Sequence, residues 1–376
     1  MAAMLNVAFP GLPNEILFAI FSYCNPNTLT VTALVSHNFR YIAESILYSS
    51  ISLYDTLSES SPQPLRTLRW CDSMLRRSHL SDNTRKLQIR WHAANPGGLM
   101  AHSLIPACTE ISKTIRLLTL LESLEIFLGP ANLMAHVEPA SLRMHTIEHV
   151  IRGVHLPYMR NCSLGADYTK GAQPYTSVLP VFLASSPLLR HLKLFDHYTA
   201  LDLPPWAIPN VASFRGTAIA AATLLPGRPV QALALVGQDS DVTRQNLPRM
   251  TLTTLPLRNL DLSAMSVRPA LLKNVSTHFP TVQSLRVRLA LRHTLHYAFS
   301  GIRLLAGLSS VLSALQLLEV LDLSPTDVDG VGRPDPKEEL VLVEEWGRAS
   351  PSLYRVIFPS EAEWLRQGKR WHLISN

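Results

Sequence analysis

Cysteine, charge and catalytic motifs are all scarce in this chain of 376 residues. Its four cysteines, Cys24, Cys71, Cys108 and Cys162, are far apart and lack the paired spacing of a metal site. They read as free thiols in a reducing compartment. Charged residues are 16% of the chain and apolar ones 47%. That is ample material for a core and argues against broad disorder. There is no GxGxxG, GxxxxGK[ST], GxSxG or HExxH, so no phosphate cradle, nucleophile elbow or zinc-protease pair is expected. The chain reads as non-catalytic, with no cofactor and no metal. No apolar run reaches the ~20 residues of a membrane span. The start, MAAMLNVAFPGLP, lacks the basic region and cleavage site of a signal peptide. A cytoplasmic or nuclear protein without a membrane partner is expected.

Net charge is +6 and reads as scattered along the chain. Arg286, Arg288, Arg292 and His293 make the densest basic run, but no aromatics interleave with it, so nucleic acid is not an expected partner. His145 and His149 stand at i, i+4 without a third ligand nearby and read as two partly exposed histidines. Asp327, Asp329, Asp335, Glu338 and Glu339 lack the frame of a calcium loop and read as a solvated loop before a last helix.

What is present begins at the N-terminus. Pro13 suits a first helical turn, and Glu15 lies near the positive end of that helix. Ile16, Leu17, Ile20 and Phe21 form one apolar stripe, which Asn25-Pro26-Asn27 is expected to end. A second run carries Leu29, Ala33, Leu34, Val35 and Phe39, and a third Ile42, Ile46, Leu47 and Tyr48. Three such short helices cannot bury their own stripes, so the surplus apolar surface must meet something.

These segments, LPNEILFAIFSYC and LTVTALVSHNFRYIAESILYSSISL, resemble the F-box. Leu12, Pro13, Glu15, Ile16, Leu17, Ile20 and Phe21 match its first block. Val35, Ser36 and Arg40 match the second, with Phe39 where Trp is common and His37 where Lys or Arg is common. Leu47, Tyr48 and Ile51 match the third. The resemblance implies docking on the Skp adaptor of a cullin–RING ubiquitin ligase. Leu12, Pro13, Ile16, Leu17, Ile20, Val35, Phe39, Leu47 and Tyr48 would form that contact.

Residues 55–64 are polar and Pro/Ser-rich and read as a linker or loop. Beyond them an xLxxLxL pattern recurs. Its first positions are Leu121, Leu189, Val211, Val230, Leu257, Val282, Leu318 and Leu353, followed three residues later by Leu124, Leu192, Phe214, Leu233, Leu260, Leu285, Leu321 and Val356. A third apolar position comes two residues on, broken only by Gly216 in the Phe214 copy; Thr84-Leu87-Ile89 is a partial copy. Residues two apart on a strand face the same way, so Leu285 and Val287 should point inward and Arg286 and Arg288 outward. Helices are expected over Leu104–Leu118, Arg268–His278, Tyr297–Leu315 and Lys337–Arg348. The whole resembles an irregular leucine-rich-repeat solenoid, with weak copies expected between Leu124 and Leu192.

The expected fold is therefore α/β: a three-helix F-box at 1–54, then a solenoid of short parallel strands alternating with helices at 55–376. This combination, with the segment Leu224–Val230, resembles the F-box sets of mushroom-forming fungi. It implies a substrate receptor that presents an unknown target protein on its outward strand residues, Glu125, Phe127, Lys193, Phe195, Asp261, Arg286, Arg288 and Asp322. Two other readings stand beside it: an F-box assembly protein without a ubiquitylation target, and a repeat scaffold capped by its N-terminal helices.

Overall fold

Side chains that alternate between a core and solvent require extended backbone, and the recurring pattern does form strands. The computed structural model describes residues 12–93, 104–129, 144–167, 174–290, 305, 307–326 and 336–374. It opens with three helices, α1 (Asn14–Phe21), α2 (Pro26–Thr32) and α3 (His37–Leu47). Strands and helices then alternate: β1 (Ser50–Leu57), α4 (Leu65–Arg76), β2 (Lys86–Ala93), α5 (Leu104–Ile115), β3 (Ser123–Phe127), α6 (Thr146–Ile151), β4 (Asn161–Gly165), α7 (Val178–Ala184) and β5 (His191–Leu194). Next come β6 (Ser213–Thr217), α8 (Ala218–Leu224), β7 (Ala232–Val236), α9 (Asn246–Met250), β8 (Asn259–Val267), α10 (Pro269–His278) and β9 (Ser284–Leu289). The last elements are α11 (Ser309–Leu312), β10 (Val320–Asp322), α12 (Pro336–Ala349), β11 (Arg355–Ile357), β12 (Glu363–Gln367) and β13 (Arg370–Ile374).

All the strands join one sheet in strict chain order. β1 to β11 run parallel, and β12 and β13 close the sheet as an antiparallel hairpin. The inward strand residues share one continuous core with helix residues such as Ile111, Leu183, Leu272 and Trp346. The helices thus cover one face of the sheet and leave the other open. Each apolar position of the eight full copies is buried. Gly216 breaks the pattern because the Phe214 ring fills its space: a Cβ at 216 would come within 2.5 Å of it.

Three further copies complete the series. Ile51, Leu87, Leu124, Cys162 and Leu192 are successive cross-strand partners, so Tyr48-Ile51-Leu53, Thr84-Leu87-Ile89 and Met159-Cys162-Leu164 are equivalent units. The partial Thr84 copy is a full strand. Of the segment expected as a linker or loop, residues 55–57 belong to β1 instead, and Ser58 and Ser61 bridge the turn that follows. Of the helix expected over Tyr297–Leu315, α11 is the helical part among the described residues; 297–304 and 306 lie outside them. Arg292, His293, Asp327, Asp329 and Asp335 also lie outside. Glu339 departs from the expected solvated loop: it is buried on α12 and accepts from Ser360 Oγ at 2.7 Å and Trp364 Nε1 at 2.8 Å. No helix among the described residues is long and apolar enough to cross a membrane.

Candidate protein-docking site

The N-terminal helices are set by short-range capping. Pro13 carbonyl oxygen accepts from Ile16 and Leu17 N–H at 3.0 and 3.1 Å, starting α1. Asn25 does not end a helix but begins one: its side chain accepts from Thr28 N–H at 2.9 Å, with Pro26 in the first turn of α2. Ser36 caps α3 through Phe39 N–H at 3.1 Å, which moves Phe39 from the expected second run into the third helix. Asn38 Nδ2 donates to Asn14 Oδ1 at 2.9 Å and ties the starts of α1 and α3 together.

The core these helices build is small. Leu17, Phe21, Leu29, Ile42 and Ala43 are its buried members, and Phe39 packs edge-on against Phe21 with ring centroids 5.2 Å apart. Nine large apolar residues of this short segment stay exposed: Leu12, Ile16, Phe18, Ile20, Tyr23, Val31, Leu34, Val35 and Tyr41. Ile16 is 48% accessible, Val35 67% and Leu34 75%. An apolar concentration of this kind marks an interaction surface.

The residues expected at that surface divide. Leu12, Pro13, Ile16, Ile20 and Val35 are exposed on it, whereas Leu17 lies in the core beneath. Phe39 and Leu47 are half-buried against the same core. Tyr48 packs on the repeat core instead, and its hydroxyl accepts from Arg77 at 3.2 Å. Phe18, Val31, Leu34 and Tyr41 are exposed as well, beyond the expected set. A single-stripe reading of α1 hides Phe18, since that helix is apolar on several sides at once.

α3 runs almost directly into β1, so the last block of the helical module is also the first strand unit. Glu44 on α3 meets Arg77 at 3.2 Å and His79 at 3.3 Å, fastening the helix to the turn after α4. Asp55 on β1 accepts from Arg66 N–H, Thr67 N–H and Thr67 Oγ at 2.9, 3.1 and 2.7 Å, capping α4 from another element.

The open face of the sheet carries the second set of expected residues. Glu125 pairs with Arg90. Burial opposes its charge, yet hydrogen bonds from Gln88 and Arg90 hold its carboxyl below the usual range. Phe127 and Phe195 are half-buried rather than free: their rings meet edge-on at 6.0 Å, over Gly165, whose absent Cβ would lie 2.6 Å from Phe195. Asp261 and Asp322 accept from Ser263 and Ser324 N–H at 2.8 and 2.9 Å, Asp261 within β8 where its register shifts and Asp322 at the end of β10. Arg286 is exposed and meets Asp322 at 3.2 Å; Arg288 is half-buried. Lys193 is exposed and has no ion pair among the described residues.

His145 overturns the expectation of two partly exposed histidines on one helical face. It precedes α6 as its cap and is buried. Its Nε2 lies 2.8 Å from Asp196 Oδ2, and its ring stacks on Tyr175 at 3.7 Å. Tyr175 hydroxyl and Ala166 N–H donate to the same Asp196 carboxylate at 2.8 and 3.0 Å. Asp196 thus joins three connections internally. Burial, its largest influence, drives the Tyr175 hydroxyl well above its ordinary pKa, and it pushes neighbouring His197 down to about 4. No group of three or more ligating side chains that could hold a metal ion occurs among the described residues.

Comparison with known families fits the N-terminal geometry. Residues 9–54 match the model of the F-box-like domain. An F-box is generally a protein-interaction module that binds the Skp adaptor, and the match ends inside β1, where helical module and sheet share residues. A search of curated proteins finds no match.

Proposed function

We propose that this protein is the target-recognition subunit of a Skp–cullin–F-box ubiquitin ligase, with a degenerate leucine-rich-repeat solenoid as its receptor half. It makes and breaks no bonds. Its contribution is proximity, holding a target lysine at high effective concentration near the ubiquitin-conjugating enzyme. The observation that carries the reading is the exposed apolar surface of α1–α3, spread over a segment with its own small core and matched to the F-box-like family. Leu12, Pro13, Ile16, Ile20 and Val35 are the proposed contacts, with Leu17, Phe39 and Leu47 holding them in place.

The test is co-purification with the Skp adaptor. Ile16 lies outside the buried cluster, so Ile16→Asp should leave the helical signal unchanged while removing a central anchor. Such an anchor typically contributes ~2 kcal/mol or more, about 30-fold in affinity. Capture of the parent and loss of the folded variant support the reading. Failure of the folded parent to bind would leave these helices as a cap of the sheet. Deleting 1–54 is a poor substitute, because the cut falls within β1 and removes strand pairing whatever the function.

A further inference from the structure

The repeat stacking gathers charge that is dispersed in sequence. On β4 to β9 two transverse rows carry charge, one at the edge where the chain enters each strand and one on the open face. The residues just before each strand are Arg160, Arg190, Ala212, Gln231, Arg258 and Gln283, linked by successive backbone hydrogen bonds. The second row runs Ser163, Lys193, Arg215, Ala234, Asp261 and Arg286 by direct strand pairing. Between β4 and β9 these rows hold six cations and one carboxylate, and Arg286 also meets Asp322, the next residue of the second row, at 3.2 Å. Cations far apart in sequence thus become neighbours across β4 to β9, between acidic residues at either end of the rows, Glu122 and Glu125 on one side and Glu319 and Asp322 on the other. Arg160, Arg190 and Arg258 are exposed and, like Lys193, have no ion pair among the described residues.

A groove of about 310 Å³ lies across this band. Small residues such as Ser213, Ala232 and Ala234 form its floor, and Lys193, Arg215 and Arg286 rise along it. Arg215 reaches Asp261 only at 4.0 Å, and its Nε is buried without an acceptor, a donor still unused. Four strand steps separate Lys193 from Arg286. At ~4.8 Å per strand that is about 19 Å, the span of about six extended residues.

We propose that this groove binds an extended, Asp/Glu-rich segment of the target protein laid across the strands. Its carboxylates meet Lys193, Arg215 and Arg286, and its main chain lies on the small-residue floor beside Asn259 and Ser284. A nucleic-acid strand fits less well. Stacking platforms are absent from the groove, since Phe214, its one aromatic lining residue, is buried. The inference rests on the receptor reading of the repeats and names what they take.

The experiment uses the full chain and a fluorescein-labelled peptide of about ten alternating Glu and Ser residues, read by anisotropy at low salt. Binding is expected, weakening as salt rises. Lys193→Glu/Arg286→Glu should lower affinity at least about tenfold. Arg249→Glu/Lys273→Glu, the same charge change on exposed helical positions, should not. Should the first double variant fail to fold, Ala234→Phe fills the floor and should have the same effect. No binding by the parent, equal loss in both double variants, or tighter binding of a ten-nucleotide oligo-dT would overturn the proposal. Adaptor capture by Lys193→Glu/Arg286→Glu, run in parallel, should match the parent. That arm separates failure of the groove from failure of the ligase reading.

Discussion

Single residues in this protein work mainly by burial. Cys71 and Cys108 are held up near 11 and 12 by desolvation, and Cys162 is raised further, so these thiols are packing groups and poor nucleophiles. His197 shows the same force on a base. Burial opposes its protonated form and lowers its pKa from 6.5 to about 4, against the pull of Asp196 and aided by His145. The unfolded chain then binds the proton that the folded chain refuses. Stability should therefore rise with pH between about 4 and 6.5, by up to about 3 kcal/mol from this residue. His197→Asn should flatten that part of a urea-denaturation series against pH. An unchanged slope would assign the acid sensitivity to other groups.

Between elements, polar side chains act across connections. Asp55 reaches from β1 to cap α4, and Thr67 in turn accepts from Trp91 Nε1 on β2 at 3.2 Å. Asp55→Ala would leave two α4 N–H groups and a buried hydroxyl without their acceptor. A loss of about 2 kcal/mol is expected, measurable by chemical denaturation, with Asp55→Asn losing less. Glu148 does the same for α7, accepting from Thr176 and Leu179 N–H at 2.7 and 3.2 Å. Its place in the sequence, beside two histidines, suggested nothing of this role. Helix periodicity located α5, α10 and α12, because an amphipathic stripe is a local property. It could not locate caps supplied from residues far along the chain.

For the molecule as a whole, the ends of the sheet matter most, since each repeat unit leans only on its neighbours. β12 and β13 extend the sheet beyond the last parallel strand as an antiparallel hairpin, and Trp364 and Trp371 join the main core. Trp364 also donates to the buried carboxylate of Glu339. Trp364→Ala should cost about 3–5 kcal/mol, seen as a lower thermal midpoint, with fraying that begins at the C-terminal strands in hydrogen exchange. Uniform exchange along the chain would refute the order of fraying. At the other end, α3 leads directly into β1 and is tied to the turn after α4 through Glu44, while α1–α3 keep a small core of their own and expose apolar residues.

Much of this architecture was legible in sequence. The inward residues of eight strands, and three helices in contiguous blocks, could be read from spacing alone, because alternation and periodicity depend on near neighbours. Tyr48-Ile51-Leu53 goes unread as a copy, Thr84-Leu87-Ile89 reads as partial, and Met159-Cys162-Leu164 fills the gap where a weak copy is expected; they carry Tyr, Thr, Met or Cys in place of Leu. Lateral neighbours were not legible. Lys193, Arg215 and Arg286 meet in one row because the connections between strands, whatever their length, return the chain to the same register. Likewise His145 finds Asp196 across 51 residues, and the division of Leu17 from Ile16 into core and surface follows from how three helices pack. The strand pattern and the helical module are written in the order of residues. The charged groove, the buried Asp196 cluster and the exposed half of the apolar surface come from tertiary packing, which sets who lies beside whom.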